Sequence, residues 1–536
     1  MSFVLNNADK EQITLFDSLY GLTKREQRFL DRSWAKYFAE HIFPAIDEKP
    51  FGVLYSSKAS RPNTPVNVLV GSSILQQLTN QSDEEFLESL LFDVRYQYAL
   101  HTTGFQEQPL SDRSLGRFRS KCHTYFVETG TDLMKNAVLS VTEEMSKLMQ
   151  IDHSLKRMDS MMVASSIKRM SRLELLYTCV ASLVRKMESD GMEIPPKLHH
   201  YIEADDRNLV IYHNHSDESA TKIEVILLDA EKILPLCKEA LEESSEYQLL
   251  IRVLREQTVE DGEGSRRLRT KEDGGMNSEI LQNPADPEAT YRDKAGKEYR
   301  GYTANIVEEK NADGDSLITD FQLENNTYSD SQFAKDVIEK LPSNKEESTT
   351  IVADGAFTCK DRELLKEKNA ELINTNLTGR EAPDINADFE FNEEGTRVTK
   401  CPGGYAPKSC SYSPKTEQCA VSFHKHNCEQ CPYREQCKPK EFNRTCRKYI
   451  SAKSRQRALQ QRERKSEEFK KISAFRNGVE TVPSILRRKY HVDHMPVRGK
   501  SRMGFLFGCK IAAVNFKKFC VFMLSQDNCA QNAVIA

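Results

Sequence analysis

The stretch from Tyr299 to Thr375 constrains the fold more than any other part of the chain. Two runs with strand patterning, Tyr299 to Val307 and Ser316 to Leu323, are joined through Asn311-Ala-Asp-Gly-Asp, and the Asn, Asp and Gly there suit a tight turn. A hairpin is expected. A helical pattern over Asp330 to Lys340 follows, then the run Thr349 to Asp354, a helix at Lys360 to Lys368 and a strand at Glu371 to Thr375. Upstream, Ser154 to Ala164 reads as one more strand and contains Asp159. Strand, hairpin, helix, strand, helix, strand is the order of a mixed α/β sheet covered by helices. Thr349 to Asp354 is apolar on both faces and ends in Asp-Gly, which places the Asp354 carboxylate at the strand's carboxyl end, where ligands of α/β sheets collect. Such an aspartate can equally cap the turn that follows.

Around this core the chain has room for more. Its 536 residues suggest about three or four structural units. Residues 1–150 read as mostly helical, with apolar residues at three and four spacing over Leu22 to Ile42, Asn67 to Leu78, Asp83 to Tyr96 and Asp112 to Val127. Ser82 and Ser111 stand at N-cap positions, and Ser82 with Glu85 makes a capping box. The helix after Ser111 bears Arg113, Arg117, Arg119 and Lys121, which suits either a phosphate backbone or plain solvation. After the Asp159 strand a helical block runs to about Val259, and the charged, Gly-rich stretch from Asp261 to Gly275 reads as a surface loop or linker. There is no run of about 18 apolar residues, and Met1 to Lys10 lacks the features of a secretory signal. An intracellular protein without a membrane partner is expected.

The net charge of −4 conceals an asymmetry, because Lys438 to Lys500 carries 19 Lys and Arg against 6 Asp and Glu. A basic segment in an acidic chain suits a polyanion such as nucleic acid, although a solvated helix face laced with ion pairs has the same composition.

Within that segment Ser473, Arg476, Glu480 and Arg487 fall at offsets that put all four on one helical stripe. Gly478 and Pro483 would weaken or kink such a helix. Asp159-Ser160, Ala353-Asp354-Gly355 and Arg476-x-x-x-Glu480 together resemble the three acidic motifs of the DDE transposases of bacterial insertion sequences. The group most similar is marked by Tyr-x-x-Arg-x-x-x-Glu-x-x-x-x-x-x-Lys. Ser473 stands where the tyrosine would be and Arg487 where the lysine would be.

The resemblance implies a ribonuclease H-like α/β catalytic domain with a helical insertion at about residues 170–280 and a cysteine-rich insertion, preceded by a helical DNA-binding region. The expected divisions are 1–150 for DNA binding, 151–400 and 451–536 for the two parts of the core, and 401–450 for the cysteine-rich insertion. It also implies that Asp159, Asp354 and Glu480 hold Mg2+ or Mn2+ for cleavage and strand transfer on double-stranded DNA, at terminal inverted repeats and at a target. Arg476 and Arg487 would hold phosphates. Further implications are a homodimer on DNA and a cytoplasmic, nucleoid-associated location. A decayed DNA-binding relative, or a nuclease without strand transfer, would keep much of the same pattern.

Seven of the 14 cysteines lie between Cys401 and Cys446. Cys428-Glu-Gln-Cys431 followed by Cys437, with Cys401-Pro-Gly-Gly upstream, resembles a small structural Zn2+ knuckle of four thiolates; reduced, unligated thiols are the alternative. Near the end, Arg498-Gly-Lys500-Ser-Arg502 reads as a basic loop facing DNA, followed by an apolar helix from Phe505 to Leu524. His491 and His494 read as DNA or structural contacts.

Overall fold

The computed structural model describes residues 1–6, 17–58, 60–105, 107–212, 218–260, 266–294, 296–343, 347–376 and 381–535, with side chains to Asp527. The chain divides into two compact units. One comprises residues 1–350, 361–370 and 480–536, and the other residues 351–360 and 371–479.

In the larger unit the strand Asp152–Ala164 runs antiparallel to Lys297–Lys310, with Asp159 opposite Ile306. Lys297–Lys310 in turn pairs antiparallel with Ser316–Asn325 and with Thr290–Lys294. The expected hairpin is thus present, and a further short strand joins it. Thr290–Lys294 is largely charged, so apolar alternation does not reveal it. Gly301 sits at φ +141, opposite Ala164, and a Cβ there would lie 2.6 Å from Ser165 N and Val163 O. Gly301→Ala should therefore lower stability by about 2 kcal/mol or more, read as a fall in melting temperature.

Helices cover the sheet. Val66–Thr79, Ser114–Thr129 and Leu133–Met149 pack against the long helix Lys500–Ile535, which also lies on strand Ser316–Asn325. Its Asn515 is fully buried, accepting from Ile318 N at 2.9 Å and donating to Ile318 O at 2.8 Å, so one amide fixes helix to strand edge. Ser82 forms the expected capping box with Glu85. Ser111 is not an N-cap: the helix begins at Ser114 after Arg113, and Ser111 N instead donates to Ser114 Oγ. The helical block after the first strand is Arg172–Ser189, Ser219–Leu241 and Ser245–Gln257, which share an apolar core of their own around Leu176, Val180, Ile233 and Leu250. Of the loop expected over Asp261 to Gly275, residues 261–265 lie outside the described residues. Arg266–Leu268 is a short strand antiparallel to Thr258–Glu260 rather than loop.

One buried charge cluster ties the sheet to the long helix. Glu308, 1% exposed, accepts from Arg157 Nε at 2.9 Å, Lys518 Nζ at 2.6 Å and Ser316 Oγ at 2.6 Å. Burial alone would raise its pKa, but Lys518 and Arg157 outweigh burial and hold the carboxyl below its usual range. A depressed folded pKa means that this contribution is present above the unfolded glutamate value, about 4.3, and is lost as pH falls through the lower folded value. Glu308→Gln should lower the melting temperature at pH 7 by removing the buried negative charge that Arg157 and Lys518 share, an effect of about 3–5 kcal/mol. The gap from wild type should narrow below pH 4 as the native carboxylate protonates.

The smaller unit contains a four-stranded antiparallel sheet in the order Ser409–Ser413, Gln418–His424, Thr445–Ile450, Lys440–Glu441. Helices Ala452–Glu463 and Glu467–Asn477 follow it. Phe389, Val398, Cys419, Val421 and Phe423 form its core. Among the described residues no helix is long and apolar enough to cross a membrane.

Candidate active site

Asp354 follows strand Thr349–Ala353, whose last three residues are fully buried. Its Oδ1 accepts from Ala356 N at 2.8 Å, so the aspartate shapes the turn that begins with Gly355. The neighbouring strand Ala370–Asn374 pins the same turn: Asn374 Nδ2 donates to Asp354 O at 2.7 Å and to Phe357 O at 2.6 Å. Thr375 N donates to Ala353 O at 2.9 Å, and Arg464 donates to Asn374 O. Asn374 was not among the candidates read from sequence. Nothing local marks it, because its role depends on which strand lies beside it.

In the larger unit Asp159 is half-buried in the central part of its strand, and its Oδ1 accepts from Ser160 N at 3.0 Å. Glu480 is exposed at the start of helix Thr481–Tyr490. That helix buries Val482, Pro483, Leu486 and Tyr490 and keeps Arg487 on its exposed side. The turn Val492–His494 after it packs on the Asp159 strand, and Arg498 Nε donates to Ser166 O at 2.6 Å. The Glu480 segment is thereby anchored to the strand that carries Asp159.

The single helical stripe expected for Ser473, Arg476, Glu480 and Arg487 is not formed as one α-helix. Glu467–Asn477 ends before Gly478, a 3-10 turn spans Gly478–Glu480, and a new helix starts at Thr481. Gly478 favours the break, and Pro483, which lacks an N–H, is accommodated in the new helix's first turn. Arg476 is buried, whereas Arg487 is exposed and pairs with Asp493 at 3.6 Å.

The other basic candidates differ in availability. Arg113, Arg117, Arg498 and Arg502 are exposed. Lys500 is held by Glu324 at 2.5 Å and its backbone N–H by Glu288 at 2.9 Å, so a phosphate would have to displace Glu324.

Cys401, Cys428, Cys431 and Cys437 line one small cavity of about 20 Å3 in the smaller unit. Gly403 lets the backbone pass close by, since a Cβ there would lie 2.9 Å from Cys431 Sγ. Burial, with the thiols of Cys446, Cys401 and Cys437 nearby, pushes the Cys428 thiol up to about 12. All described cysteines are free thiols. Among the described residues no three His, Cys, Asp or Glu side chains form a group that could hold a metal ion, so the thiols border this cavity without closing on it.

Two family models match the chain. One, described as a transposase DDE domain, covers residues 400–520 and so includes Glu480, Arg476, Arg487 and the four cavity cysteines. The other, described as a transposase domain (DUF772), covers residues 27–121, including Arg113 and Arg117. Asp159 and Asp354 lie outside both. No curated protein and no solved structure matches. With a DDE domain and a second transposase domain on separate segments, the chain is a DDE-type DNA transposase, an enzyme class dependent on divalent metal.

Proposed function

We propose that this transposase binds the terminal inverted repeats of a bacterial insertion sequence, cuts there, and joins the freed 3′ end to target DNA. It would act in the cytoplasm as a homodimer on double-stranded DNA. The observation that carries the reading is the placement of Asp354 at the carboxyl end of a buried strand, in a turn fixed by Asn374, alongside the matched DDE segment that includes Glu480. The antiparallel strands that lead from Asp159 into the hairpin, followed by helix, strand, helix and strand, support a ribonuclease H-like core with the helical block and the cysteine-rich segment as insertions.

Asp159, Asp354 and Glu480 would hold Mg2+ or Mn2+. Their donor set is all oxygen, which suits a hard divalent cation. The bound ions supply Lewis-acid stabilisation of the attacking and leaving oxygens of an in-line phosphodiester displacement. The protein's own residues do the rest. The Asn374 amide orients the Asp354 turn, and the exposed Arg487 holds phosphate oxygens, guanidinium being able to grip two at once, whereas the burial of Arg476 argues against the same role for it. Arg113 and Arg117 on the amino-terminal helix, with Arg498, Lys500 and Arg502, meet the DNA backbone and position it. A structural Zn2+ on Cys401, Cys428, Cys431 and Cys437 belongs to the same reading. Four thiols around a cavity the size of about one water, and the close passage of Gly403, support it.

The test is strand cleavage of a plasmid carrying the gene's own flanking DNA, with purified protein in Mg2+ or Mn2+ and an EDTA control. Metal-dependent cuts at the flanks, followed by joining to a second plasmid, are expected. Tight binding with no cuts in either metal would overturn the proposal, and cuts without joining would reduce it to a nuclease.

A further inference from the structure

Within the larger unit, helices of the amino-terminal region and the long carboxy-terminal helix enclose a cavity of about 610 Å3, of whose lining the phosphoryl-transfer reading uses only Arg502. That volume lies within the range of small-ligand pockets, about 300–1,000 Å3. Lys510 lines it and is only 4% exposed. Its Nζ donates to Gln77 Oε1 at 2.8 Å, and among the described residues it makes no ion pair with a carboxylate. Burial pushes its pKa down to about 8, opposed only by the neighbouring Cys509 thiol. A buried ammonium whose partner is a neutral amide is expensive to keep, and an anion in the cavity would supply the missing charge.

The rest of the lining agrees. The two carboxylates nearby are already engaged, Asp83 with Arg119 at 2.5 Å and Asp132 as the N-cap that accepts from Lys135 N at 2.9 Å. Arg502 is exposed at the cavity, and the Nδ1 of His123 is buried there without a hydrogen-bond partner. Phe126 and Phe505 contribute aromatic surface, and the Gln77 amide, whose Oε1 accepts from Lys510, lines the cavity beside it, while the amides of Gln76 and Gln81 are engaged with Asp83, Arg119, Thr79 and Ser89. A buried cation beside aromatic surface is what a phosphate and a planar base together require.

We propose that this cavity binds one nucleotide, with its phosphate toward Lys510 and Arg502 and its base against Phe126 and Phe505. The nucleotide is either free or an unpaired residue of a DNA strand. Asp159, Asp354 and Glu480 do not line it, so it can be tested without divalent metal and without cleavage.

Calorimetric titration of the full-length protein with deoxyadenosine 5′-monophosphate in Mg2+-free buffer is expected to show saturable binding. Deoxyadenosine should bind about tenfold more weakly or worse, because the charge-assisted phosphate contacts are gone. Lys510→Met should weaken binding of the monophosphate by a similar factor, with the melting temperature unchanged or raised, since an apolar side chain replaces an unpaired buried charge. Arg502→Ala, at an exposed position, should weaken it several-fold with no change in melting temperature. A short single-stranded oligonucleotide that displaces the monophosphate competitively identifies the DNA strand as the source, and failure to displace it identifies free nucleotide. No saturable binding to wild type, equal affinity for deoxyadenosine, or full affinity in both variants would overturn the proposal.

Discussion

Asp354→Asn is expected to lower metal-dependent cleavage by about a hundred- to a thousandfold, the scale seen when one preorganised electrostatic contact is removed from an active site, while DNA binding and melting temperature stay at wild-type levels. The asparagine keeps the shape of the residue and an oxygen that can still accept from Ala356 N, so the turn should persist. What disappears is the negative charge, on which affinity for a divalent cation depends. Under the proposed function, binding to DNA would rest on exposed cations such as Arg113 and Arg117, which the change does not touch. Band-shift and cleavage assays on the same DNA separate the two outcomes, and a variant that still cuts with Mg2+ would remove Asp354 from the catalytic set. Asn374→Ala provides the graded companion. It deletes both side-chain hydrogen bonds that hold the Asp354 turn but leaves the carboxylate, so cleavage should fall about 10–100-fold, as for residues that orient metal ligands. The Mg2+ concentration needed for half-maximal rate should rise with it. A purely structural role for Asn374 would lower the melting temperature without moving that metal dependence.

How far the sequence reveals this arrangement depends on whether the information is local. Helix Asp330–Lys340 matches its reading because Ser329 and Gln332 form a capping box directly before its apolar stripe. The hairpin is legible from its Asn-Asp-Gly turn and long alternating arms, and Asp354 from the apolar run it closes. The four-stranded sheet between Ser409 and Ile450 escapes notice because its strands are short and rich in Ser, Lys and Cys, so half-buried polar positions mask the alternation. The supposed stripe through Glu480 fails because a spacing argument assumes an unbroken helix, whereas Gly478 allows a 3-10 turn. Asn374 and the Lys510 cavity depend on partners brought together by the fold, Gln77 and Lys510 being 433 residues apart. No periodicity can report such a contact.

The cysteine segment yields the other large effect. Protein purified from zinc-supplemented cells is expected to hold one equivalent of Zn2+, and removing it with a strong chelator should expose the 401–450 segment to protease. The sheet there buries few large side chains beyond Phe389, Val421, Phe423 and Ile450, so a metal that cross-links Cys401 to Cys428, Cys431 and Cys437 would supply a large share of its stability. Cys428→Ser should lose the metal and become as protease-sensitive as the chelated wild type, beyond rescue by added Zn2+. Cys410→Ser is the control, because Cys410 lies on strand Ser409–Ser413 and does not line the cavity; it should retain the metal. Metal loss should not be mimicked by reducing agent, since the described cysteines form no disulfide. A full-length protein that takes up no Zn2+ after thiol reduction, yet resists protease at 401–450, would show that packing alone holds this segment. The thiols that crowd Cys428 would then be no more than a reduced core.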